Sequence, residues 1–294
     1  MPASIIDGKQ IAEDIRREVK EAAQQLKARK GIVPGLAFIL VGEDPASQSY
    51  VKSKGKACEE LGFYSVTEKV GTSITEAALL SMIDRFNRDK RVHGLLVQLP
   101  LPKHLNEQKV IEAISLEKDV DGFHPASIGK LVFGAETFLP CTPAGILELL
   151  KRSNINPSGK HVVVVGRSNI VGKPIANILV QKKEGCNAIV TVAHTGARDL
   201  GAYTRQADIL IAAIGKPGAI NASMVKKGAV VIDVGINRVE DASTKSGYRV
   251  VGDVDFNSVK EIASAITPVP GGVGPMTIAM LMLNTLKSAQ QSGV

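Results

Sequence analysis

Short apolar runs alternate with longer amphipathic stretches along the chain, and that alternation predicts layered helices and strands. Gly8 to Lys30 carries apolar residues at helical spacing among many charges and predicts a helix. Leu36 to Val41 (LAFILV) is a compact apolar run, as expected of a strand buried on both faces. Asp44-Pro45 joins an N-cap to a proline at the first helical position, so a helix begins there, runs to about Leu61 and stops at Gly62. Tyr64 to Val70 reads as a strand, Glu76 to Asn87 as an amphipathic helix, and His93 to Leu99 as a strand closed by Pro100-Leu101-Pro102. Further on, strands are predicted at 161–165, 188–193, 208–213 and 229–234, with another near 265–269. Thr142 to Arg152 predicts a helix with Thr142 as its N-cap, and a last helix runs from Met276 to about Gln290.

Strands alternating with helices imply an α/β fold with mainly parallel sheets. The second half has the layout of a Rossmann-like unit. The last helix has no obvious place in that unit and is expected to return to the first domain.

Within the second half, Val163-Val164-Val165-Gly166-Arg167-Ser168-Asn169-Ile170-Val171-Gly172 stands out. A buried strand that turns through glycines into a helix presents free backbone N–H groups and the positive end of a helix dipole to a phosphate. The match to Gly-x-Gly-x-x-Gly is incomplete, since Ser168 replaces the second glycine and the gap to Gly172 is longer. Arg167 inside the turn can grip a phosphate through two parallel hydrogen bonds. An NAD site calls for an acid about 20 residues further on, to hold the ribose hydroxyls. Here the next strand ends in His194-Thr195, with Arg198 following and no acid before Asp199. That arrangement suits the 2′-phosphate of NADP. A tight ligand-free strand–helix turn remains the plain alternative, and His194 by itself reads as a satisfied polar residue.

The 294 residues accommodate one large or two medium domains, and 44% hydrophobic content supplies an ordinary core. No run of about 18 apolar residues indicates a membrane span, and the amino terminus lacks the basic-then-apolar order of a secretory signal. Cys58, Cys141 and Cys186 are far apart without metal spacing, so no metal is expected and a reducing, cytoplasmic setting fits. The net charge of +7 is spread over the chain, often beside Glu or Asp. With no Trp and four Tyr it lacks the stacking residues of a nucleic-acid surface, and it suits anionic small molecules instead.

Four further places carry candidate chemistry. Tyr50 and Lys54 stand four apart on one helix face, a spacing that sets a phenol beside a proton-transfer lysine. By spacing alone, Lys54 reads first as a solvated lysine on a basic helix. Gln98 ends a strand where parallel sheets host ligands, and its amide can hold a lysine or a carbonyl. Asp119-Val120-Asp121-Gly122 offers two carboxylates, of which Asp121 can accept paired hydrogen bonds from an amino-pyrimidine edge, although Asp-Gly is also a common turn. Pro270-Gly271-Gly272-Val273-Gly274-Pro275 before a helix allows close backbone approach to a ligand, or serves as a linker. Cys141, in Pro140-Cys141-Thr142-Pro143, has no His or second Cys in sequence to make it a nucleophile.

In this order, the segments GEDPASQSYVKSKGKACEELG (42–62), GLLVQLPLP (94–102), EKDVDGFHP (117–125), LPCTPAG (139–145), VVVVGRSNIVGKP (162–174) and TPVPGGVGPMT (267–277) resemble the bifunctional methylenetetrahydrofolate dehydrogenase/methenyltetrahydrofolate cyclohydrolase family over nearly the whole chain. The resemblance implies a two-domain α/β protein, with a folate-binding catalytic domain at 1–141 and 273–294 and a Rossmann-like NADP-binding domain at 142–272. It implies NADP-dependent oxidation of 5,10-methylenetetrahydrofolate, hydrolysis of the methenyl product to 10-formyltetrahydrofolate, a cleft between the domains, and a cytoplasmic homodimer serving one-carbon metabolism and purine biosynthesis. By the same resemblance Lys54 transfers protons, Tyr50 stacks on the folate, Gln98 bonds Lys54, and Asp121 anchors the pterin. Gly166, Arg167, Ser168, Thr195 and Ile236 hold NADP, while Pro270, Gly271 and Gly272 line the folate side.

Other readings fit less of the chain. A short-chain dehydrogenase also uses Tyr-x-x-x-Lys, but places it after the nucleotide turn; here it comes well before. A dehydrogenase lacking the hydrolytic step has no use for Lys54, Gln98 and Asp121 together. An NADP-binding regulator and a basic nucleic-acid binder remain as non-enzymatic alternatives.

Overall fold

The computed structural model describes residues 2–244 and 247–292. In chain order the elements are β1 (Ser4–Ile5), α1 (Gly8–Lys30), β2 (Gly35–Val41), α2 (Pro45–Leu61), β3 (Tyr64–Val70), α3 (Glu76–Arg88), β4 (Gly94–Val97), α4 (Glu107–Glu112), α5 (Pro125–Val132) and α6 (Cys141–Arg152). They continue with β5 (His161–Val165), α7 (Gly172–Leu179), β6 (Ile189–Ala193), α8 (Gly201–Thr204), β7 (Ile209–Ala212), β8 (Val230–Asp233), β9 (Asn237–Glu240), β10 (Tyr248–Val251), α9 (Phe256–Val259), β11 (Ala265–Ile266) and α10 (Val273–Gln291). The chain folds into two compact units, one of Glu13–Cys141 with Ile278–Val294, the other of Met1–Ala12 with Thr142–Thr277.

The Glu13–Cys141 unit is built on a parallel sheet of order β3-β2-β4. Central β2 is buried at all seven positions, while edge strand β3 alternates half-buried and exposed. This is the pattern of a strand covered on both faces beside one that meets water. Ala37, Ile39, Leu79, Ile83, Phe86 and Leu95 pack into its core. The Asp44 carboxylate accepts the Ser47 N–H at 2.7 Å and starts α2, and Gly62, in left-handed conformation, ends it. The carboxyl half of α10 belongs to this unit. Asn284 Nδ2 donates to the carbonyls of Val120 (2.8 Å) and Leu139 (3.1 Å), and Ser288 Oγ lies 2.6 Å from the His93 carbonyl. The last helix does return to the first half of the chain.

The other unit holds a six-stranded parallel sheet of order β1-β11-β8-β7-β5-β6 and a separate antiparallel pair, β9 with β10. Val163, Val165, Leu210, Ala212, Val231 and Ile266 form its core. In both sheets successive crossovers leave a central strand in opposite directions, between β2 and β4 in one and between β5 and β7 in the other. Such switch points open a crevice at the carboxyl ends of the strands.

The structure departs from the sequence reading in four places. Residues 1–12 were expected in the first domain, yet β1 pairs in parallel with β11, Ser4 opposite Ala265 and Ile5 opposite Ile266. A two-residue strand has no periodicity to read. Thr142 is not an N-cap, because α6 already begins at Cys141; its hydroxyl instead lies 2.9 Å from that of Thr277. Helix α10 starts at Val273, so half of the glycine-rich segment is its first turn, where Pro275 sacrifices no hydrogen bond. The β9–β10 pair falls in a polar stretch that the apolar pattern passed over.

Asn284→Ala removes both donors from two inward-facing carbonyls. A loss of about 1–3 kcal/mol in unfolding free energy is expected, with urea titration as the check.

Candidate active site

Within the Glu13–Cys141 unit the sequence singles out α2 and the ends of two strands. Tyr50 and Lys54 lie one turn apart on α2. Lys52 and Lys56 on the same helix are exposed, whereas Lys54 is only 7% exposed. Its burial sets it apart from a solvated lysine on a basic face. Lys54 Nζ donates to Gln98 Oε1 at 3.2 Å, and Gln98 Nε2 donates to the Leu99 carbonyl at 2.7 Å. The second bond fixes the amide so that its oxygen, not its nitrogen, faces the lysine. Tyr50 is 42% exposed and makes no hydrogen bond to the described residues, so its ring is available to a ligand.

The two carboxylates of the Asp-Val-Asp-Gly turn do different work. Asp119 is buried and accepts from Ser127 Oγ (2.7 Å) and from the N–H groups of His124 (3.0 Å) and Phe123 (3.1 Å). Burial raises its carboxyl above the usual range, and those bonds oppose the rise. Asp119 therefore shapes the turn. Asp121 is half-buried and faces the Cys141 thiol, whose pKa is pushed well above its ordinary value first by burial and then by the Asp121 carboxylate. The Lys54 ammonium acts on the same thiol in the opposite direction. A buried thiol held in this way is no nucleophile.

The second group of residues lies at the β5–β7 switch point of the other unit. Gly166 follows β5 with φ 128°, and a Cβ there would stand 2.1 Å from the Ala213 carbonyl oxygen after β7. Only glycine fits such an approach. A Cβ on Gly172 would likewise meet the Gly166 carbonyl at 2.3 Å. Ser168 Oγ accepts from Val171 and Gly172 N–H, both at 3.2 Å, and so closes the turn itself; its own hydroxyl proton is left to donate. Arg167 and Thr195 are exposed, and their side chains make no hydrogen bond or ion pair with the described residues. Asp199, the first acid after β6, is engaged by Arg205 at 3.2 Å. His194 Nδ1 accepts the Gly196 N–H at 3.0 Å, the satisfied polar residue its position suggests. Ile236, half-exposed, presents apolar surface after β8. A glycine cradle with a free guanidinium and hydroxyl, and no free acid beside them, fits a dinucleotide that carries an extra phosphate.

Pro270, Gly271 and Gly272 belong to this same unit. Their loop packs onto the start of α1: Lys9 N–H donates to the Gly271 carbonyl at 2.8 Å, and a Cβ on Gly8 would stand 1.9 Å from the Gly272 carbonyl oxygen. No motif in the chain singles out Asp233 and Asp253, both of which are buried. The available signal was a carboxylate inside the apolar run AVVIDV. Burial raises the Asp233 pKa to about 6 against three backbone N–H donors. Among the described residues no cluster of three His, Cys, Asp or Glu is placed to hold a metal, and no helix is long and apolar enough to cross a membrane.

Residues 6–121 match the family model described as tetrahydrofolate dehydrogenase/cyclohydrolase, catalytic domain, and residues 140–293 match its NAD(P)-binding domain. The chain is 61% identical over 292 residues to the bifunctional protein FolD of Syntrophus aciditrophicus, covering 99% of each chain. It is 51% identical to the bifunctional FolD enzyme of Campylobacter jejuni, whose crystal structure superposes with a TM-score of 0.93 over 98% of this chain and 99% of that one. The FolD enzyme of Trypanosoma brucei, solved with NADP and an inhibitor, is 39% identical with a TM-score of 0.94, over 99% of each chain.

Cys58, Cys141 and Cys186 are all buried, and the Cys58 thiol is pushed up to about 12 by desolvation. Iodoacetamide at pH 8 should leave the native protein unlabelled and add three groups after denaturation, as read by intact mass.

Proposed function

Because the chain belongs to the tetrahydrofolate dehydrogenase/cyclohydrolase family, we propose that Tyr50, Lys54, Gln98 and Asp121 handle the folate, and that Gly166, Arg167, Ser168, Thr195 and Ile236 hold the cofactor. The enzyme is bifunctional. It oxidises 5,10-methylenetetrahydrofolate with NADP⁺ to the 5,10-methenyl cation and hydrolyses that cation to 10-formyltetrahydrofolate. NADP⁺, when bound, supplies the hydride acceptor. Glu13–Cys141 with the end of α10 serves as the folate-binding domain, and the unit around Thr142–Thr277 as the NADP-binding domain.

The observation that carries the residue roles is the buried Lys54 amino group on the Gln98 carbonyl oxygen; it takes up the water proton in its neutral amine form. Hydrolysis needs a group that takes a proton from water as its oxygen adds to the methenyl carbon, then returns one to the pterin nitrogen as the carbon–nitrogen bond breaks. A lysine amine does both, and the methenyl cation is electrophilic enough to need no further activation. Gln98 holds Nζ in place. Tyr50 offers a ring face for the folate, and Asp121 accepts the pterin's amino edge. Pro270 to Gly272 bring bare backbone to the ligand on the folate side. The Arg167 guanidinium pairs with the 2′-phosphate, with the Ser168 and Thr195 hydroxyls adding donors.

The working form is a homodimer in the cytoplasm that supplies a formyl donor to purine biosynthesis. Three buried free thiols support a reducing compartment, and β6, an outer strand of its sheet with Ile189 and Val192 exposed, supports contact with a second copy.

Lys54→Ala should lower methenyl hydrolysis by about 10²-fold or more while NADPH binding is kept; hydrolysis at the wild-type rate would remove Lys54 from the mechanism. Arg167→Ala should raise the KM for NADP⁺ by at least about tenfold and leave that for NAD⁺ near its starting value, measured by the absorbance of the reduced cofactor.

A further inference from the structure

The carboxylates of Asp233 and Asp253 take their hydrogen bonds from residues other than those assigned to NADP. Asp253, with no exposed surface, receives four donors. Its Oδ2 accepts from the backbone N–H groups of Ile214 (2.6 Å) and Gly215 (2.9 Å), and its Oδ1 accepts from Lys216 N–H (2.9 Å) and Asn237 Nδ2 (2.9 Å). Three successive amides after β7 thus converge on one carboxylate. Asp233 in turn accepts from the N–H groups of Asp253 (2.9 Å), Val254 (3.0 Å) and Gly235 (3.0 Å), and its own N–H donates to Thr267 Oγ1 at 2.8 Å. Two glycines let backbone close on the pair: a Cβ on Gly235 would stand 2.3 Å from Asp253 Oδ1, and one on Gly252 would stand 1.8 Å from Asp233 Oδ2.

The segment Asp253 holds is one wall of the switch point. Ile214 follows Ala213, whose carbonyl is the atom that Gly166 packs against. Asn237 follows Ile236. One carboxylate therefore ties down both the wall under the phosphate turn and the neighbour of the apolar residue across from it. Buried acceptors with every lone pair used are rigid, because losing a partner leaves a donor unpaired.

We propose that Asp253 is a positioning residue for NADP: through Ile214–Lys216 and Asn237 it holds the β7 wall against Gly166 and sets Ile236 at the spacing the cofactor requires. Asp233 carries Asp253 by its backbone and extends the same hold through Thr267 to the foot of the Pro270–Gly272 loop, where a Cβ on Gly272 would meet Thr267 Cβ at 2.8 Å. The proposal rests on the assignment of Gly166, Arg167 and Ile236 to the cofactor.

The test uses Asp253→Asn, Asn237→Ala and Arg167→Ala in the full-length enzyme. NADPH affinity is read by fluorescence titration, dehydrogenation by KM and kcat for NADP⁺, and methenyl hydrolysis without cofactor by absorbance; each variant is also melted. Asp253→Asn puts an amide N–H against donors it cannot accept, and should weaken NADPH binding about tenfold; Asn237→Ala should weaken it less. In both, the KM for NADP⁺ should rise more than kcat falls, and the ratio of hydrolysis to dehydrogenation at low NADP⁺ should rise with it. Unchanged affinity in both variants overturns the role. So does a parallel loss of both activities with a lowered melting temperature, which marks a scaffold contact only. If Asp253→Asn fails to fold, Asn237→Ala decides alone. Unchanged affinity in Arg167→Ala brings down the cofactor assignment itself, a failure separate from that of Asp253.

Discussion

Parallel strands whose crossovers leave in opposite directions open a crevice at their carboxyl ends, and Gly166 and Gln98 both stand at such a point. At β5 and β7 the gap is narrow enough that Gly166 and Ala213 meet backbone to backbone, which dictates glycine at the turn. At β2 and β4 the same topology puts α2 and Gln98 side by side, so that a lysine from one crossover reaches a glutamine from the next. The chemistry is added by only a few side chains. The sheets supply the openings, and they do so from apolar runs that contain almost no functional residue.

Much of this was legible in the chain. Runs such as LAFILV and the Asp44-Pro45 start fix elements locally, through burial on both faces and through a cap, so their boundaries could be read to within a residue or two. The tight turn after β5 was legible because glycines mark close approach. What escaped depends on partners distant in sequence. The pairing of β1 with β11, the enclosure of Asp233 and Asp253, and the division of labour between Asp119 and Asp121 are all set by residues far away or by burial, and no spacing encodes them. Lys54 shows the limit clearly. Its spacing is that of any surface lysine, and its distinction is that the fold buries it on an amide oxygen.

The two units also differ in how they treat charge. In the Glu13–Cys141 unit the buried Lys54 rests on a neutral amide oxygen, that of Gln98. In the other unit, the buried Asp233 and Asp253 carboxylates are satisfied by backbone amides and the Asn237 side chain instead of cations. Amide donors are fixed in direction by the chain, so a carboxylate that collects them orders loops in a way that a mobile lysine would not. The first arrangement is a single contact and the second holds a shape.

The pairing of β1 with β11 has a consequence for the order of synthesis. Ser4 bonds Ser264 across some 260 residues, so β1 waits for a neighbour that the ribosome makes much later. Until then the outer side of β8 has no strand to cover it, and its row of amides and carbonyls stays open to other chains. Domains usually fold as they emerge, amino end first. This sheet can be closed only after β11 has emerged, so the nascent chain stays open to mispairing through all the synthesis between β1 and β11.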